Sequence, residues 1–230
     1  MKLVLFDIDG TILWTDGAGR RAIHDALRDV FGGIGPAGYW FDGKTDRQIV
    51  RELMRHDGHD DAVIDSRMER LLDRYVENLR RELRDPAHPP RLLPGVNELL
   101  DAVERHPQLR LGLLTGNLFE GAAAKLESVG IDPARFAVGA FGSDHEHRPS
   151  LPGVALERAR EALGLDLRGE SLVIVGDTPA DVQCGRPIGA RAVAVATGRY
   201  SVDDLRAHDP VAVFEDLSDT DAVIRAIENA

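Results

Sequence analysis

The sequence is poor in cysteine, in long hydrophobic runs and in basic residues, and each shortage excludes a class of protein. Cys184 is the single cysteine among 230 residues, so no internal disulfide can form. No stretch approaches the roughly 20 apolar residues of a membrane-spanning helix, and Met1-Lys2 leads into apolar residues without a signal-peptide pattern. These features predict a cytoplasmic protein without a membrane partner.

Acidic residues outnumber basic ones, and the formal net charge is −11 at pH 7. This charge disfavours binding to nucleic acid or to an anionic membrane, because both carry charge of the same sign. The hydrophobic content of 43% is nevertheless enough for a substantial buried core. The composition therefore favours a globular enzyme that acts on small metabolites.

Short apolar runs alternate with amphipathic segments, which predicts a doubly wound, Rossmann-like α/β fold with a parallel sheet. Strands are predicted at Leu3–Phe6, Leu109–Leu114, Phe136–Val138, Leu172–Val175, Ala192–Val195 and Ala212–Phe214. Helical periodicity is clear at Val96–Val103, Ala122–Val129, Val154–Leu163 and Ala222–Ile227.

The interval from Trp14 to Leu92 breaks this alternation, because it contains no convincing strand and mostly charged, helix-forming sequence. Helices are predicted there at Arg20–Phe31, Asp46–His56 and Asp65–Leu83. We expect an all-helical cap domain of residues 14–92, inserted into an α/β core domain of residues 1–13 and 93–230. Such an insertion can lie over the strand tips, where open parallel sheets bind ligands.

Three of the predicted strands end in residues suited to metal and phosphate chemistry. The first is followed by two acids one residue apart, which share a direction because neighbouring side chains in a strand alternate faces. Carboxylates beside a loop with free backbone N–H groups suit a hard cation and a phosphoryl group. The three groups of residues are Asp7, Asp9, Gly10 and Thr11; Thr115, Gly116 and Asn117; and Asp177 and Asp181.

In their order and spacing, these motifs resemble those of the haloacid dehalogenase superfamily, in particular the phosphoglycolate phosphatase and β-phosphoglucomutase-like subgroup. The resemblance implies that Asp7 attacks phosphorus and forms an aspartyl-phosphate. It implies that Asp9 protonates the leaving group and then takes a proton from water. It also implies Mg²⁺, held by Asp7, the Asp9 backbone carbonyl and Asp177, with Asp181 acting through water or orienting another ligand. A helix N-cap is the alternative role for Asp177.

Phosphate oxygens are expected to meet Gly10, Thr11, the Thr115 hydroxyl and the backbone of Gly116 and Asn117. The last two lie in a turn that leads into a helix beginning near Phe119, and the N-terminus of a helix favours anions.

The superfamily usually places a lysine, often followed by proline, between the second and fourth motifs, and the best candidate here is an arginine, Arg148, which Pro149 follows. Its guanidinium could screen the charge that develops at Asp7 and brace Asp177. A surface arginine before a helix is the alternative. In the cap, residues 43–47 are expected to form a specificity loop in which Lys44 or Arg47 meets a distal carboxylate or phosphate. A simple turn between helices is the alternative there.

Asp9 favours hydrolysis of a phosphate ester, because relatives that cleave carbon–halogen or carbon–phosphorus bonds lack an acid at this position. The expected enzyme is a magnesium-dependent phosphatase of a small phosphorylated metabolite, working as a monomer or homodimer. A phosphosugar mutase and, because of Lys44, a phosphonoacetaldehyde-hydrolase-like enzyme remain alternatives. A receiver-like phospho-switch would cluster similar groups, but receivers are about half this length and lack a cap.

Overall fold

Six parallel strands form the centre of the molecule in the computed structural model, which describes residues 1–230. The strands of the structure are β1 (Lys2–Phe6), β2 (Leu13–Trp14), β3 (Arg91–Leu92), β4 (Leu109–Leu114), β5 (Val138–Ala140), β6 (Leu172–Gly176), β7 (Arg191–Val195) and β8 (Ala212–Phe214). The order across the large sheet is β5-β4-β1-β6-β7-β8. The chain therefore winds outwards in both directions from β1, which confirms the predicted doubly wound fold.

Helices cover both faces of this sheet. The helices of the structure are α1 (Ala18–Phe31), α2 (Asp46–His56), α3 (Asp61–Glu82), α4 (Val96–Arg105), α5 (Phe119–Ser128), α6 (Leu151–Leu163), α7 (Pro179–Cys184), α8 (Val202–Arg206) and α9 (Thr220–Asn229). Val4 and Phe6 of β1 pack with α4, α5 and α9, whereas Leu3 and Leu5 pack with α6, α7 and α8. This division follows from the alternation of side chains along a strand. None of the helices combines the length and apolar character that crossing a membrane requires.

Helices α1, α2 and α3 form a helical unit beside the sheet, with a hydrophobic cluster of 18 buried residues of its own. All but two of these residues lie within the three helices, and the exceptions are Leu83, which directly follows α3, and Leu118, which precedes α5. The inserted helical cap of the predicted fold is thus present. The domain boundaries at residues 13/14 and 92/93 stay a prediction.

Helix α8 has no counterpart among the predicted elements, and α3 begins at Asp61 instead of Asp65. Two further differences concern the strands. Leu13 and Trp14 pair with Leu92 and Arg91 in a short antiparallel ribbon where the cap joins the core, although no strand is expected there. A strand of two residues is too short to show the alternation of polar and apolar side chains by which a strand is predicted from sequence. Strand β5 begins at Val138, because a short helical turn that starts at Pro133 delays its start.

Candidate active site

The ends of β1, β4 and β6 lie side by side, because β4 and β6 flank β1 in the sheet. Asp7, Thr115 and Asp177 follow these three strands directly, and all three line one cavity. The cavity has a volume of about 410 Å³ and is closed on the other side by residues of the helical unit. This is the edge at which open parallel sheets bind ligands.

Three buried carboxylates meet at the bottom of the cavity. Oxygens of Asp7, Asp177 and Asp181 lie within 4.8 Å of one another. Burial, together with repulsion from neighbouring carboxylates, raises the pKa of Asp7 to about 7 and the pKa of Asp177 well above its ordinary value. Hard divalent cations prefer such oxygen ligands, and a cation here would offset the repulsion.

The turn that follows β1 packs against the carboxylate of Asp177. Gly10 adopts φ +82°, and a Cβ atom at this position would lie 2.3 Å from Oδ2 of Asp177. Thr11 donates a hydrogen bond from its hydroxyl to Oδ1 of Asp177 at 3.1 Å. Neither residue lines the cavity, so in this structure Gly10 and Thr11 support a carboxylate instead of facing a phosphate.

Arg148 lies between Asp7 and Asp181, with only 4% of its side chain exposed. Its guanidinium is 3.3 Å from Oδ1 of Asp7 and also bonds Oδ1 of Asp181. Although burial disfavours the charge of Arg148, the carboxylates of Asp181 and Asp7 raise its pKa. Its Nε is buried without a partner. The alternative of a surface arginine is therefore wrong, and the charge of Arg148 is held beside Asp7 inside the site.

Both carboxylate oxygens of Asp181 have protein partners. Oδ1 accepts from Arg148, and Oδ2 accepts from the backbone N–H and the hydroxyl of Thr178, at 3.0 and 2.6 Å. Thr178 in turn accepts from the Asp181 amide, which forms a capping box at the start of α7. The N-cap residue is thus Thr178, and the alternative of Asp177 as the cap is wrong. Asp181 is placed to orient Arg148.

Asp9 points towards the opposite side of the cavity, where Lys125 and Asn117 hold it. The Lys125 ammonium donates to both Asp9 oxygens, at 2.8 and 2.7 Å, and to Oδ1 of Asn117 at 2.6 Å. The Asn117 amide donates to Asp9 at 2.8 Å and to the Thr115 hydroxyl at 2.7 Å. Lys125 is absent from the sequence-based predictions. The signal that could have found it is a lone lysine within the apolar part of α5, Ala122–Leu126.

The N-terminus of α5 is closed by protein groups in this structure. The amides of Asn117, Leu118 and Phe119 donate to the Thr115 hydroxyl, to Oδ2 of Asp46 and to the Ser143 hydroxyl, at 3.3, 2.9 and 3.2 Å. Asp46 thus occupies a position where an anion from solvent could otherwise bind. Burial raises the pKa of Asp46 to about 6.

The cap loop of residues 42–46 packs directly on the ends of the strands. The Asp46 amide donates to the Gly116 carbonyl at 2.8 Å, and the Thr45 hydroxyl donates to the Glu146 carbonyl at 2.7 Å. A Cβ atom at Gly116 would lie 2.0 Å from the Lys44 carbonyl oxygen. Glycine at position 116 therefore permits the close approach of the cap loop to the end of β4.

Lys44 and Arg47, the predicted contacts of a distal anion, are differently placed. Lys44 lines the cavity, but its ammonium bonds to Glu52 and to the Tyr39 hydroxyl, both at 2.7 Å. Arg47 does not line the cavity and pairs with Glu69 of α3 at 2.8 Å. The phase of α2 directs its guanidinium towards α3, so the sequence-based role for Arg47 does not fit this geometry.

Arg20 of α1 supplies a cation to the cavity that the sequence analysis missed. Its guanidinium lies 4.0 Å from the centre of the Phe41 ring, and one nitrogen donates to the Tyr39 carbonyl at 3.0 Å. No carboxylate pairs with Arg20, whereas Lys44, Lys125, Arg148 and Arg199 each have one. Arg20 is therefore held in place with its charge uncommitted.

Residues 4–186 match the family of haloacid dehalogenase-like hydrolases. The chain belongs to this family.

Relatives of this hydrolase extend over nearly its whole length. A phosphoglycolate phosphatase of Rhodospirillum rubrum is 27% identical and covers 94% of this chain and 88% of its own. An N-acetylmuramic acid 6-phosphate phosphatase of Pseudomonas aeruginosa is 30% identical and covers 90% of this chain and 87% of its own. The solved structure of a hydrolase from Pseudomonas syringae has the same fold, with a TM-score of 0.74, 21% identity and 98% of both chains covered. The hydrolase is thus an enzyme of the phosphatase type.

A divalent cation fits the carboxylate cluster of this hydrolase. Asp7 and Asp177 have oxygens within 4.8 Å of each other, whereas both Asp181 oxygens are engaged by Arg148 and Thr178. A Cβ atom at Gly198 would lie 1.8 Å from Oδ2 of Asp177, so the chain leaves space around this carboxylate only for the smallest residue. Such buried, mutually repelling oxygens are the donor set of Mg²⁺.

Proposed function

We propose that this hydrolase is a magnesium-dependent phosphatase that cleaves a small phosphomonoester through an aspartyl-phosphate on Asp7. The observation that carries the proposal is the position of Asp7. Its carboxylate lines the cavity between Asp177, which shares the metal-binding cluster, and Arg148, which supplies positive charge. A nucleophile for phosphorus needs both neighbours.

The first step transfers the phosphoryl group from the ester to Asp7. An Asp7 oxygen forms a bond to phosphorus while the bond from phosphorus to the ester oxygen breaks. The leaving oxygen takes a proton from Asp9, a contribution of about 10²–10⁴-fold for a well-placed general acid. Arg148, whose guanidinium lies 3.3 Å from Oδ1 of Asp7, stabilises the charge on the phosphoryl oxygens.

The second step returns the enzyme to its starting state. A water oxygen forms a bond to phosphorus, the bond between phosphorus and Asp7 breaks, and Asp9 accepts the proton of the water. The cap loop, which packs on the strand ends beside Asp7, limits the access of other water to this intermediate. Inorganic phosphate then leaves.

Asp7, Asp177 and the Asp9 carbonyl would hold Mg²⁺. When bound, the ion neutralises the negative charge that a phosphate dianion would otherwise meet at these carboxylates. Asp181 would keep its place beside Arg148 and act on the site indirectly.

We propose a compact substrate with a second anionic group. The cavity of about 410 Å³ suits a small organic phosphate. Phe41 and Trp40 line its cap side, and Arg20 offers an unpaired charge there, which favours a carboxylate or a second phosphate at this end. Relatives named for phosphoglycolate and for N-acetylmuramic acid 6-phosphate, both of which carry a carboxylate, support this class.

The alternatives receive less support. A phosphonoacetaldehyde-hydrolase-like reaction would need a free amine, and the Lys44 ammonium is paired with Glu52 at 2.7 Å. A mutase would need a firm grip on a second phosphate, and Arg20 is the single uncommitted cation of the cavity. A receiver-like switch would have no helical cap, whereas this chain has one beside the strand ends.

Replacement of the nucleophile tests the proposal. Asp7→Asn should abolish release of phosphate from p-nitrophenyl phosphate and from a panel of phosphorylated metabolites, with the fold intact by circular dichroism. Asp203→Asn serves as the matched control, because this carboxylate is 90% exposed on α8. Turnover by Asp7→Asn at the wild-type rate with the same magnesium dependence would contradict the assignment.

A further inference from the structure

We propose that Lys125 is a positioning residue that holds the Asp9 carboxylate at the place where it meets the leaving oxygen. The inference rests on the proposed function, because it assigns the general acid to Asp9. It adds a residue that lies outside every strand-end motif, in the second turn of α5.

The contacts of Lys125 use all of its hydrogen-bonding capacity. A lysine ammonium has three donors and no acceptor. Here it makes three contacts, to Oδ1 and Oδ2 of Asp9 and to Oδ1 of Asn117, at 2.8, 2.7 and 2.6 Å. No donor is left for a substrate, so Lys125 acts on the reaction through Asp9.

Burial gives the contact its rigidity. The Lys125 side chain is 4% exposed, whereas the Asp9 side chain is 42% exposed towards the cavity. A lysine is almost never buried to this extent unless it is paired, and moving away from Asp9 would leave its charge without a partner. An exposed aspartate that is gripped at both oxygens by a fixed cation has little freedom to rotate.

Asn117, which follows the end of β4, also holds the Asp9 carboxylate. Its amide nitrogen donates to Oδ2 of Asp9 and to Thr115, while its amide oxygen accepts from Lys125. The three side chains therefore join the second motif, the start of α5 and the general acid in one network. Such a network fixes a carboxylate far better than one contact would.

The helical unit faces the same ammonium from the other side. A Cβ atom at Gly19 of α1 would lie 3.5 Å from Nζ of Lys125 and 3.8 Å from the Tyr75 hydroxyl of α3. Lys125 thus lies where the cap meets the core, with its ammonium enclosed between α1, α3 and Asp9.

Esters with different leaving groups can show whether Lys125 positions Asp9 or only supports the structure of the site. An alkoxide leaving group needs a proton from Asp9, whereas p-nitrophenolate is weakly basic and leaves without one. Because kcat/KM reports only steps up to the first irreversible one, it isolates formation of the aspartyl-phosphate from its later hydrolysis. Loss of positioning should therefore lower kcat/KM for an alkyl ester selectively.

The test compares Lys125→Met with wild type on β-glycerophosphate and on p-nitrophenyl phosphate. We expect kcat/KM for the alkyl ester to fall about 10²-fold, the loss typical of a misplaced catalytic group. For the aryl ester we expect a change of less than about threefold, because its reaction needs little acid catalysis. Lys125→Arg keeps the charge and should recover most of the alkyl activity. Glu127→Gln, an exposed change on the same helix, is the control.

A double-mutant comparison makes the role specific to Asp9. In an Asp9→Asn background, adding Lys125→Met should lower kcat/KM for β-glycerophosphate no further, because the group being positioned is already gone. Equal losses on both esters, a further loss in the Asp9→Asn background, or a gain of alkyl activity in Lys125→Met would each overturn the proposal. If Lys125→Met does not fold, Lys125→Gln replaces it with the same expected results.

The outcome for Lys125 is separable from the outcome for the proposed function. Asp7→Asn should remove activity on both esters. If it does not, the proposed mechanism fails whatever Lys125→Met does. If it does, and Lys125→Met affects both esters alike, only the role of Lys125 fails.

Discussion

Asp46 in the first turn of α2 should make the stability of the enzyme fall as the pH rises. Its side chain is buried, and Oδ2 accepts a hydrogen bond from the Leu118 amide at 2.9 Å. Burial raises the pKa of Asp46 from 3.8 to about 6, although the charge of Lys125 opposes the shift. The folded protein therefore binds this proton more tightly than the unfolded chain does.

The sign and size of the effect follow from this difference. Below about pH 4 both states are protonated at Asp46 and its stabilising contribution is complete. Between about pH 4 and pH 6 the unfolded chain loses the proton first, and stability falls. A shift of about two pKa units corresponds to roughly 3 kcal/mol. In a chain of this length that amounts to about 6–12 °C in Tm.

Asp46→Asn removes the titrating group and keeps an oxygen that can accept from Leu118. Thermal unfolding followed by circular dichroism, for both proteins between pH 4 and pH 7, isolates the contribution of Asp46, because all other groups are shared. The Tm of the variant relative to wild type should rise by about 6–12 °C across this range. A difference that stays constant, or falls, would refute the reasoning.

Three further predictions concern the cavity. Asp177→Asn should raise the magnesium concentration for half-maximal activity at least about tenfold in a Mg²⁺ titration, and an unchanged midpoint would exclude Asp177 as a ligand. Arg148→Met should lower kcat for p-nitrophenyl phosphate about 10²-fold with little change in KM, because its charge acts on the transition state, and a rise in KM alone would contradict this. Arg20→Met should raise KM for a phosphomonoester with a second anionic group about tenfold more than for p-nitrophenyl phosphate, and equal changes would remove Arg20 from the distal subsite.

The fold could be predicted well from local patterns. Strand β4 and helix α2 have the predicted bounds, because a long apolar run and a strongly amphipathic segment are unambiguous. Strand β5 begins two residues later in the structure than in the prediction, since the turn at Pro133 depends on how the chain meets the edge of the sheet.

The strand-end residues of the site could be predicted because topology brings them together. Parallel strands in a doubly wound sheet place the ends of β1, β4 and β6 at one edge, so Asp7, Thr115 and Asp177 converge without any knowledge of side-chain packing.

The remaining site residues depend on contacts between distant segments. Lys125 reaches Asp9 across 116 positions of the sequence, and Asp46 reaches Leu118 across 72. No local pattern encodes such distances. The direction of Arg47 depends on the phase of α2 relative to α3, and the sequence offered no means to choose between the cavity and Glu69.

Direct detection of the phosphorylated residue tests the central claim most sharply. Enzyme mixed with Mg²⁺ and p-nitrophenyl phosphate, quenched in acid within a turnover and digested, should carry a single phosphoryl group on the peptide that contains Asp7. Asp7→Asn should carry none under the same conditions. A phosphoryl group on another residue, or its complete absence from an enzyme that is turning over, would contradict the account.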